Sequence, residues 1–196
     1  DYWGKPRTYY YDEAGYLTQS TNPLGQLLSV ACDKVGRIIH KAPANEPEKA
    51  ETYSYNLRGQ LTSAVNRYCA VTRKYNAVGA LIEECQQQEA ATALLKYQYN
   101  TFGQLIEQHH QFRHQSQSDE TAFKQRLRFE YNEINQLVRQ QVDERPPLEF
   151  GFDEIGRLTS QKQNDNLSAS FEYTSSGQLK RQSVHRSGGL NNDYIE

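Results

Sequence analysis

Asp or Asn, then Gly three positions on, then an aliphatic residue two positions further: this pattern recurs along the chain and leaves it few folds to choose from. In the clearest copy, Tyr97-Gln98-Tyr99-Asn100-Thr101-Phe102-Gly103-Gln104-Leu105, the two tyrosines stand two apart and so share one face of a strand. Asn100 suits the first position of a type I turn, where its short side chain bonds the following backbone, and Gly103 suits the fourth, where φ is positive. A type I turn closed by a left-handed Gly makes a bulged hairpin loop. Asn100 then pairs with Gln104 and Tyr99 with Leu105, and the aromatic meets the Leu across the strands.

Aligned on that turn, the chain gives eight copies, opening at Asp12, Asp33, Asn56, Asn76, Asn100, Asn132, Asp153 and Thr174. The left-handed position holds Gly15, Gly36, Gly59, Gly79, Gly103, Gly156 and Gly177, with Asn135 in the remaining copy. Asn is the next best residue at positive φ, so the exception obeys the same physics. Two positions later stand Leu17, Ile38, Leu61, Leu81, Leu105, Leu137, Leu158 and Leu179. The openers are 21, 23, 20, 24, 32, 21 and 21 residues apart, at the short end of repeat architectures. The expected fold is all-β: repeated antiparallel hairpins forming a curved strip, with residues 1–196 a single array. The candidate site residues are therefore the structural turn residues themselves.

A mean hydropathy of -0.89 with 36% hydrophobic residues is low for a compact globule, but 14 tyrosines supply buried area as amphipathic aromatics. The polar excess is largely 20 glutamines, of which Gln60, Gln104, Gln136 and Gln178 directly follow the left-handed position and read as a solvated face opposite the Leu. The 22 Lys and Arg lie scattered among 24 Asp and Glu, so there is no phosphate-binding stripe and nucleic acid is excluded as a partner. No apolar run approaches the ~20 residues that span a bilayer, and no signal-peptide pattern opens the chain. Met is absent, which points to a processed product or a piece of a longer protein. Cys32, Cys69 and Cys85 are odd in number and lack metal-ligand spacing. In a regular hairpin around Asn76, Cys69 opposes Gln87 and Cys85 opposes Val71, which puts the two thiols on one face but roughly 7 Å or more apart, too far for a disulfide. All three are read as free and buried, as in a reducing cytoplasm.

Along the chain, residues 1–8 read as the tail of a preceding repeat on which Trp3 packs, the first hairpin runs from about Thr8 to Ser20, and Asn22-Pro23-Leu24-Gly25 turns the chain into the next strand. Val30 and Cys32 replace the aromatics of the second copy. Residues 43–50, with two prolines and three charges, read as an exposed loop. Residues 86–95 have helical propensity but too little room before Tyr97, and read as a strand end and loop. The widest spacing, between Asn100 and Asn132, holds His109, His110, His114 and a Gln/Ser-rich stretch. It reads as a long solvent loop at 106–128, with a short helix near 119–124 as the alternative. Tyr194 has the place of a ninth copy.

Tyr-x-Tyr-Asp/Asn-x-x-Gly-x-Leu, best matched by Tyr9-Tyr10-Tyr11-Asp12-Glu13-Ala14-Gly15-Tyr16-Leu17 and Phe150-Gly151-Phe152-Asp153-Glu154-Ile155-Gly156-Arg157-Leu158, resembles the YD repeat of Rhs proteins, Tc-toxin shell components and teneurins. The likeness covers almost the whole chain. It implies a strip of hairpins spiralling into a hollow shell that, in the bacterial toxins, encloses a C-terminal toxic domain. Its partners would be the remainder of its own shell, the enclosed toxin polypeptide and delivery-system proteins such as those of type VI secretion. It would be made in the bacterial cytoplasm and then secreted or delivered to a target cell. Rhs-type shells carry an Asp-Pro-x-Gly-Leu self-cleaving motif that this sequence lacks, which places the piece in the wall upstream of it. The teneurin resemblance allows the alternative of a carbohydrate- or cell-surface-binding adhesion module.

The pattern carries no catalytic constellation. Asp12, Asp33 and Asp153 open turns, where their carboxylates bond backbone rather than substrate. In an extended chain His109 and His110 point to opposite faces, with no Cys nearby to complete a metal site. Ser183, His185 and Asp193 lack a nucleophile elbow, and each Gly belongs to a turn. No enzyme activity, metal or cofactor is expected. If the turns are correct, Gly156→Val lowers stability by about 1–2 kcal/mol or more through backbone strain, while Asn135→Gly is neutral or stabilising. Thermal unfolding checks both, and an unchanged Tm for Gly156→Val would remove the turn assignment.

Overall fold

A computed structural model of the chain describes residues 6–116, 122–164 and 167–186 together with the backbone of 194–195. The chain is all-β. Its strands are β1 (Thr8–Tyr11), β2 (Leu17–Thr21), β3 (Leu27–Cys32), β4 (Ile38–Pro43), β5 (Glu51–Tyr55), β6 (Leu61–Val65), β7 (Cys69–Tyr75) and β8 (Leu81–Gln88). They continue with β9 (Ala91–Tyr99), β10 (Leu105–His114), β11 (Phe123–Tyr131), β12 (Leu137–Val142), β13 (Leu148–Phe152), β14 (Leu158–Lys162), β15 (Leu167–Tyr173), β16 (Leu179–Arg186) and β17 (Tyr194–Ile195). Two compact units result. The first holds residues 1–95 and 111–123, the second 96–110 and 124–196. In the first unit β1 to β8 pair in chain order, and in the second β11 to β17 do so, every pair antiparallel.

Seven of the repeat hairpins contain an irregularity that the repeat pattern does not announce. Tyr55 pairs with Leu61, but Ser54 pairs with Ser63, so Thr62 is left out of the ladder. The same slip strands Thr18, Ile39, Ile82, Val138, Thr159 and Lys180 in the other hairpins. Six of these seven are β-branched, which keeps an unpaired residue extended. A bulge inserts one residue on one strand and reverses the face of everything beyond it.

That reversal corrects the cysteine geometry expected from a regular hairpin. Cys69 opposes Gln88, and Cys85 opposes Thr72 rather than Val71. Cys69 and Thr72 are three apart on one strand, so the two thiols lie on opposite faces of the sheet. The three cysteines are free, and they are half-buried rather than buried.

Three local readings also change. His109, His110 and His114 lie in strand β10, not in a solvent loop, and most of 106–128 forms β10 and β11; the part of the suggested helix at 119–121 is outside the described residues. Residues 91–95 are strand, so β8 and β9 are joined by Glu89 and Ala90 alone. Asn22-Pro23-Leu24-Gly25 turns out to be a further turn of the same kind: Gly25 N–H donates to Asn22 O at 2.9 Å, Asn22 N–H donates to Gln26 O at 3.0 Å, and Gly25 has φ +80. It joins β2 to β3, the end of the strands away from the repeat turns. Residues 43–50 hold one 3-10 turn at Pro47–Lys49. Trp3 lies outside the described residues, as does the side chain of Tyr194.

Among the described residues only Val30 and Ala42 are buried, each 9% exposed. The Tyr/Leu face of each unit is half-buried over most of its described length and exposed at Tyr9, Tyr11, Phe123 and Leu179. With the thiols on opposite faces, mild oxidation is expected to leave all three cysteines alkylatable and to yield no Cys69–Cys85 peptide by mass spectrometry. A cross-linked peptide would overturn the bulged register of β7 and β8.

Candidate functional site

Each repeat turn has the same internal wiring. In the Asn56 copy, Asn56 N–H donates to Gln60 O at 2.9 Å and Gly59 N–H to Asn56 O at 3.0 Å. Asn56 Oδ1 accepts from the N–H groups of Arg58 and Gln60 at 2.9 and 3.0 Å. Asp33, Asn76, Asn100, Asn132 and Asp153 repeat these contacts, while Asp12 Oδ1 takes Tyr16 N–H at 2.8 Å and Thr174 Oγ1 takes Gln178 N–H at 3.1 Å. Gly15, Gly36, Gly59, Gly79, Gly103, Gly156 and Gly177 have φ between +81 and +91, and Asn135 has φ 67.

The residue after the left-handed position is matched to the opener. In three of the four copies opened by Asn, Gln follows: Asn56 Nδ2 donates to Gln60 Oε1 at 3.0 Å and Asn132 Nδ2 to Gln136 Oε1 at 2.8 Å, and Asn100 pairs likewise with Gln104, while the Asn76 copy has Ala80 there. Where it is Asp, Arg follows in two copies: Arg37 Nε donates to Asp33 Oδ2 at 2.6 Å and Arg157 Nε to Asp153 Oδ2 at 2.7 Å. An amide needs an amide acceptor and a carboxylate a cation, so the pairing follows from the donor inventory.

These matched residues then reach the next turn. Gln60 Nε2 donates to Gly79 O at 2.7 Å, Gln136 Nε2 to Gly156 O at 3.4 Å and Gln104 Nε2 to Asn135 Oδ1 at 2.6 Å. Arg37 Nη1 donates to Asn56 O at 3.3 Å and Arg157 Nη1 to Thr174 O at 3.5 Å. Gln60, Gln104 and Gln136 are thus connectors, not the solvated face expected of them. A second set of bonds runs backwards. The hydroxyls of Tyr55, Tyr75, Tyr131 and Tyr173 donate to the carbonyls of Ile38, Leu61, Leu105 and Leu158, at 2.9, 2.7, 3.0 and 2.8 Å. Cys32, which takes the Tyr place in the second copy, sends its Sγ–H to Leu17 O at 3.7 Å. Leu17, Ile38, Leu61 and Leu158 each sit immediately before the bulged residue, where the ladder is interrupted.

Arg37 and Arg157 close the same circuit twice. Each pairs with its Asp, donates to the following turn, and lies over the following Tyr ring, at 4.8 Å for Tyr55 and 4.7 Å for Tyr173. The Arg157 backbone N–H, aided by its guanidinium and opposed by burial, holds the Asp153 carboxyl below the usual range. Burial pushes Asp33 up, but hydrogen bonds from Arg37 and Val35 outweigh it and the net shift is down.

Away from the turns, Glu107 lies between His109 Nε2 at 2.5 Å and Arg126 Nε at 2.7 Å; burial raises its pKa, and these two partners bring it lower. Among the described residues no group of three or more His, Cys, Asp or Glu could hold a metal, and no helix is long and apolar enough to cross a membrane.

Hairpins clipped turn to turn in both directions define a repeat scaffold, built to continue from one copy to the next. The chain belongs to the YD-shell family: the Teneurin YD-shell family model matches residues 27–185, and the role of such a domain is structural, as part of a shell. No curated protein matches the chain. Among solved structures, a Photorhabdus luminescens Tc holotoxin pore carrying a TccC3 point mutation matches with a TM-score of 0.62 and 13% identity over 95% of this chain and 12% of that one. TcdB2–TccC3 without its hypervariable C-terminal region matches with a TM-score of 0.55 and 13% identity, over 91% of this chain and 11% of that one. The likeness is one of fold, and the chain spans about an eighth of the length of the larger shell proteins.

The Phe152 copy lacks the hydroxyl that would reach back to Leu137 O. Phe152→Tyr is expected to raise stability by about 0.5–1.5 kcal/mol and Tyr131→Phe to lower it by a similar amount. Opposite shifts in the chemical unfolding midpoint check the backward bond, and equal shifts in one direction would refute it.

Proposed function

We propose that this chain is a wall segment of a bacterial Rhs/Tc-type YD-repeat shell, and that the shell encloses a C-terminal toxin polypeptide for delivery to a target cell. The observation that carries the reading is the match of nearly the whole chain to a small part of a Tc holotoxin chain with a shared fold. The wiring of the turns supports it. Every copy donates to a neighbour and accepts from one, and only two of the described residues are buried, so the repeat is built to be continued rather than capped. Its partners in this reading are the rest of the shell and the enclosed polypeptide, with the delivery machinery acting on the whole. Residues 1–196 form one array of repeats, and the turn residues from Asp12 to Gly177 are its structural site. The chain itself performs no catalysis.

Limited proteolysis of the entire polypeptide that carries this chain tests the proposal. The segment C-terminal to the repeats is expected to resist protease while the shell is folded, and to become sensitive when Gly59, Gly103 and Gly156 are replaced together by Val. Equal digestion in both proteins would remove encapsulation. Binding of a glycan by the folded repeats, lost on Tyr→Ala changes, would favour adhesion instead.

A further inference from the structure

The second unit carries a repeated pair that the turn wiring does not use. Phe129 opposes Gln140, Phe150 opposes Gln161 and Phe171 opposes Gln182. Both members of the pair advance by 21 residues, the local repeat spacing. Cross-strand partners project to the same face, so each pair sets an amide beside a ring on the Tyr/Leu face. From β11 to β15 that face holds only aromatic, aliphatic and glutamine side chains. The charges lie on the other face, where Arg139 meets Glu130 and Arg181 meets Glu172. The three glutamine side chains have no hydrogen-bond partner among the described residues, in contrast to Gln104 and Gln136. A cleft of about 360 Å³ opens on this face, lined by Leu148, Gln161, Leu167, Ala169, Gln182 and Val184.

We infer that the Phe–Gln rungs of β11 to β16 form a contact track for an extended, apolar-rich stretch of polypeptide. This rests on the proposed encapsulation and names the face and the side chains that meet the enclosed chain. A glutamine amide both donates and accepts, which matches either group of a peptide bond, and an aromatic ring takes any apolar side chain. Gln140, Gln161 and Gln182 stand two strands apart, so successive rungs repeat about every 10 Å, and an extended segment of polyproline II type, at about 3.1 Å per residue and about three residues per turn, presents the same side to a rung at every third residue. Such a track is tolerant of sequence, since its rungs carry no charge that selects a complementary one; Arg186 stands beyond them, at the end of β16 opposite Leu167. A sugar fits less well: each ring carries several hydroxyls, whereas this face offers a single amide per rung among aliphatic neighbours.

The test uses the entire polypeptide, with the photo-crosslinking residue p-benzoylphenylalanine replacing Phe150 or, on the charged face, Glu149. Position 150 is expected to cross-link to the protease-protected C-terminal segment and position 149 is not. The triple variant Gln140→Glu, Gln161→Glu, Gln182→Glu, which disturbs no internal hydrogen bond, should cut the yield about ten-fold, as loss of three amide contacts would. Cross-linking from 149 but not 150 with protection intact, or a yield unaffected by the triple variant, overturns the track and leaves encapsulation standing. Loss of protection in the parent protein itself would instead strike the shell reading. Retention of a neutral oligosaccharide that the triple variant abolishes, with no cross-link to polypeptide, would reassign the rungs to sugar.

Discussion

The left-handed residue that closes each Asp/Asn turn is the constraint on which the remaining structure depends. The type I turn brings the left-handed residue's N–H to the opener's carbonyl, and the positive φ then swings the next residue back, so that its N–H meets the opener's side chain and its carbonyl accepts from the opener's N–H. That conformation aims the next residue, Gln or Arg, at the neighbouring turn, and it brings Tyr opposite Leu. The position is also crowded in several copies. A Cβ added at Gly36 would sit 2.6 Å from Tyr16 Cε1, one at Gly156 3.0 Å from Gln136 Nε2, and one at Gly79 3.3 Å from Gln60 Nε2. Glycine there serves φ and the approach of the preceding copy together. Asn135 shows the alternative solution: with a side chain in that place, Gln104 bonds Asn135 Oδ1 instead of a backbone carbonyl.

Hydrogen bonds between neighbours hold the array where a closed core would hold a globule. Each Tyr hydroxyl and each Gln or Arg links one copy only to the next, so stability is a sum of hairpin terms and nearest-neighbour terms. Ala80 marks a gap in this scheme, since the Asn76 copy has neither Gln nor Arg to reach onward. The bonds are individually modest, about 0.5–1.5 kcal/mol each, and gain their effect by repetition.

The hairpins and their turns were legible because a turn is a local object: Asn100 and Gly103 state their geometry within four residues. The matching of Asn with Gln and Asp with Arg was equally open to reading, at positions such as Asn56 and Gln60 or Asp153 and Arg157, but its meaning required knowing that the next turn lies within reach. The bulge was hidden for a different reason. Thr62 or Ile82 after the aliphatic residue looks like ordinary strand, and a one-residue slip leaves no mark on composition while reversing every face beyond it, as Cys85 shows. The histidines of β10 were misplaced because the hairpin lengthens there, and a longer strand and an inserted loop give the same wider spacing.

The repeat assigns its residues unevenly, and this explains how one scaffold carries two different surfaces. Opener, Gly, Gln or Arg, Leu and Tyr are all committed to the ladder. The residue two before the Tyr and its cross-strand partner are not. In the first unit those positions hold Tyr9 opposite Ser20, Val30 opposite Lys41, which pairs with Glu51 at 2.9 Å, Tyr53 opposite Ala64, and Arg73 opposite Glu84, joined at 2.7 Å. In the second they hold the three Phe–Gln pairs. Changing them touches no turn, so the same face carries charges paired within it at two copies of one unit and is neutral, with unengaged amides, at the three pairs of the other. The fold is fixed at the turn end of each hairpin, and the middle of the strand is left to determine what the surface meets.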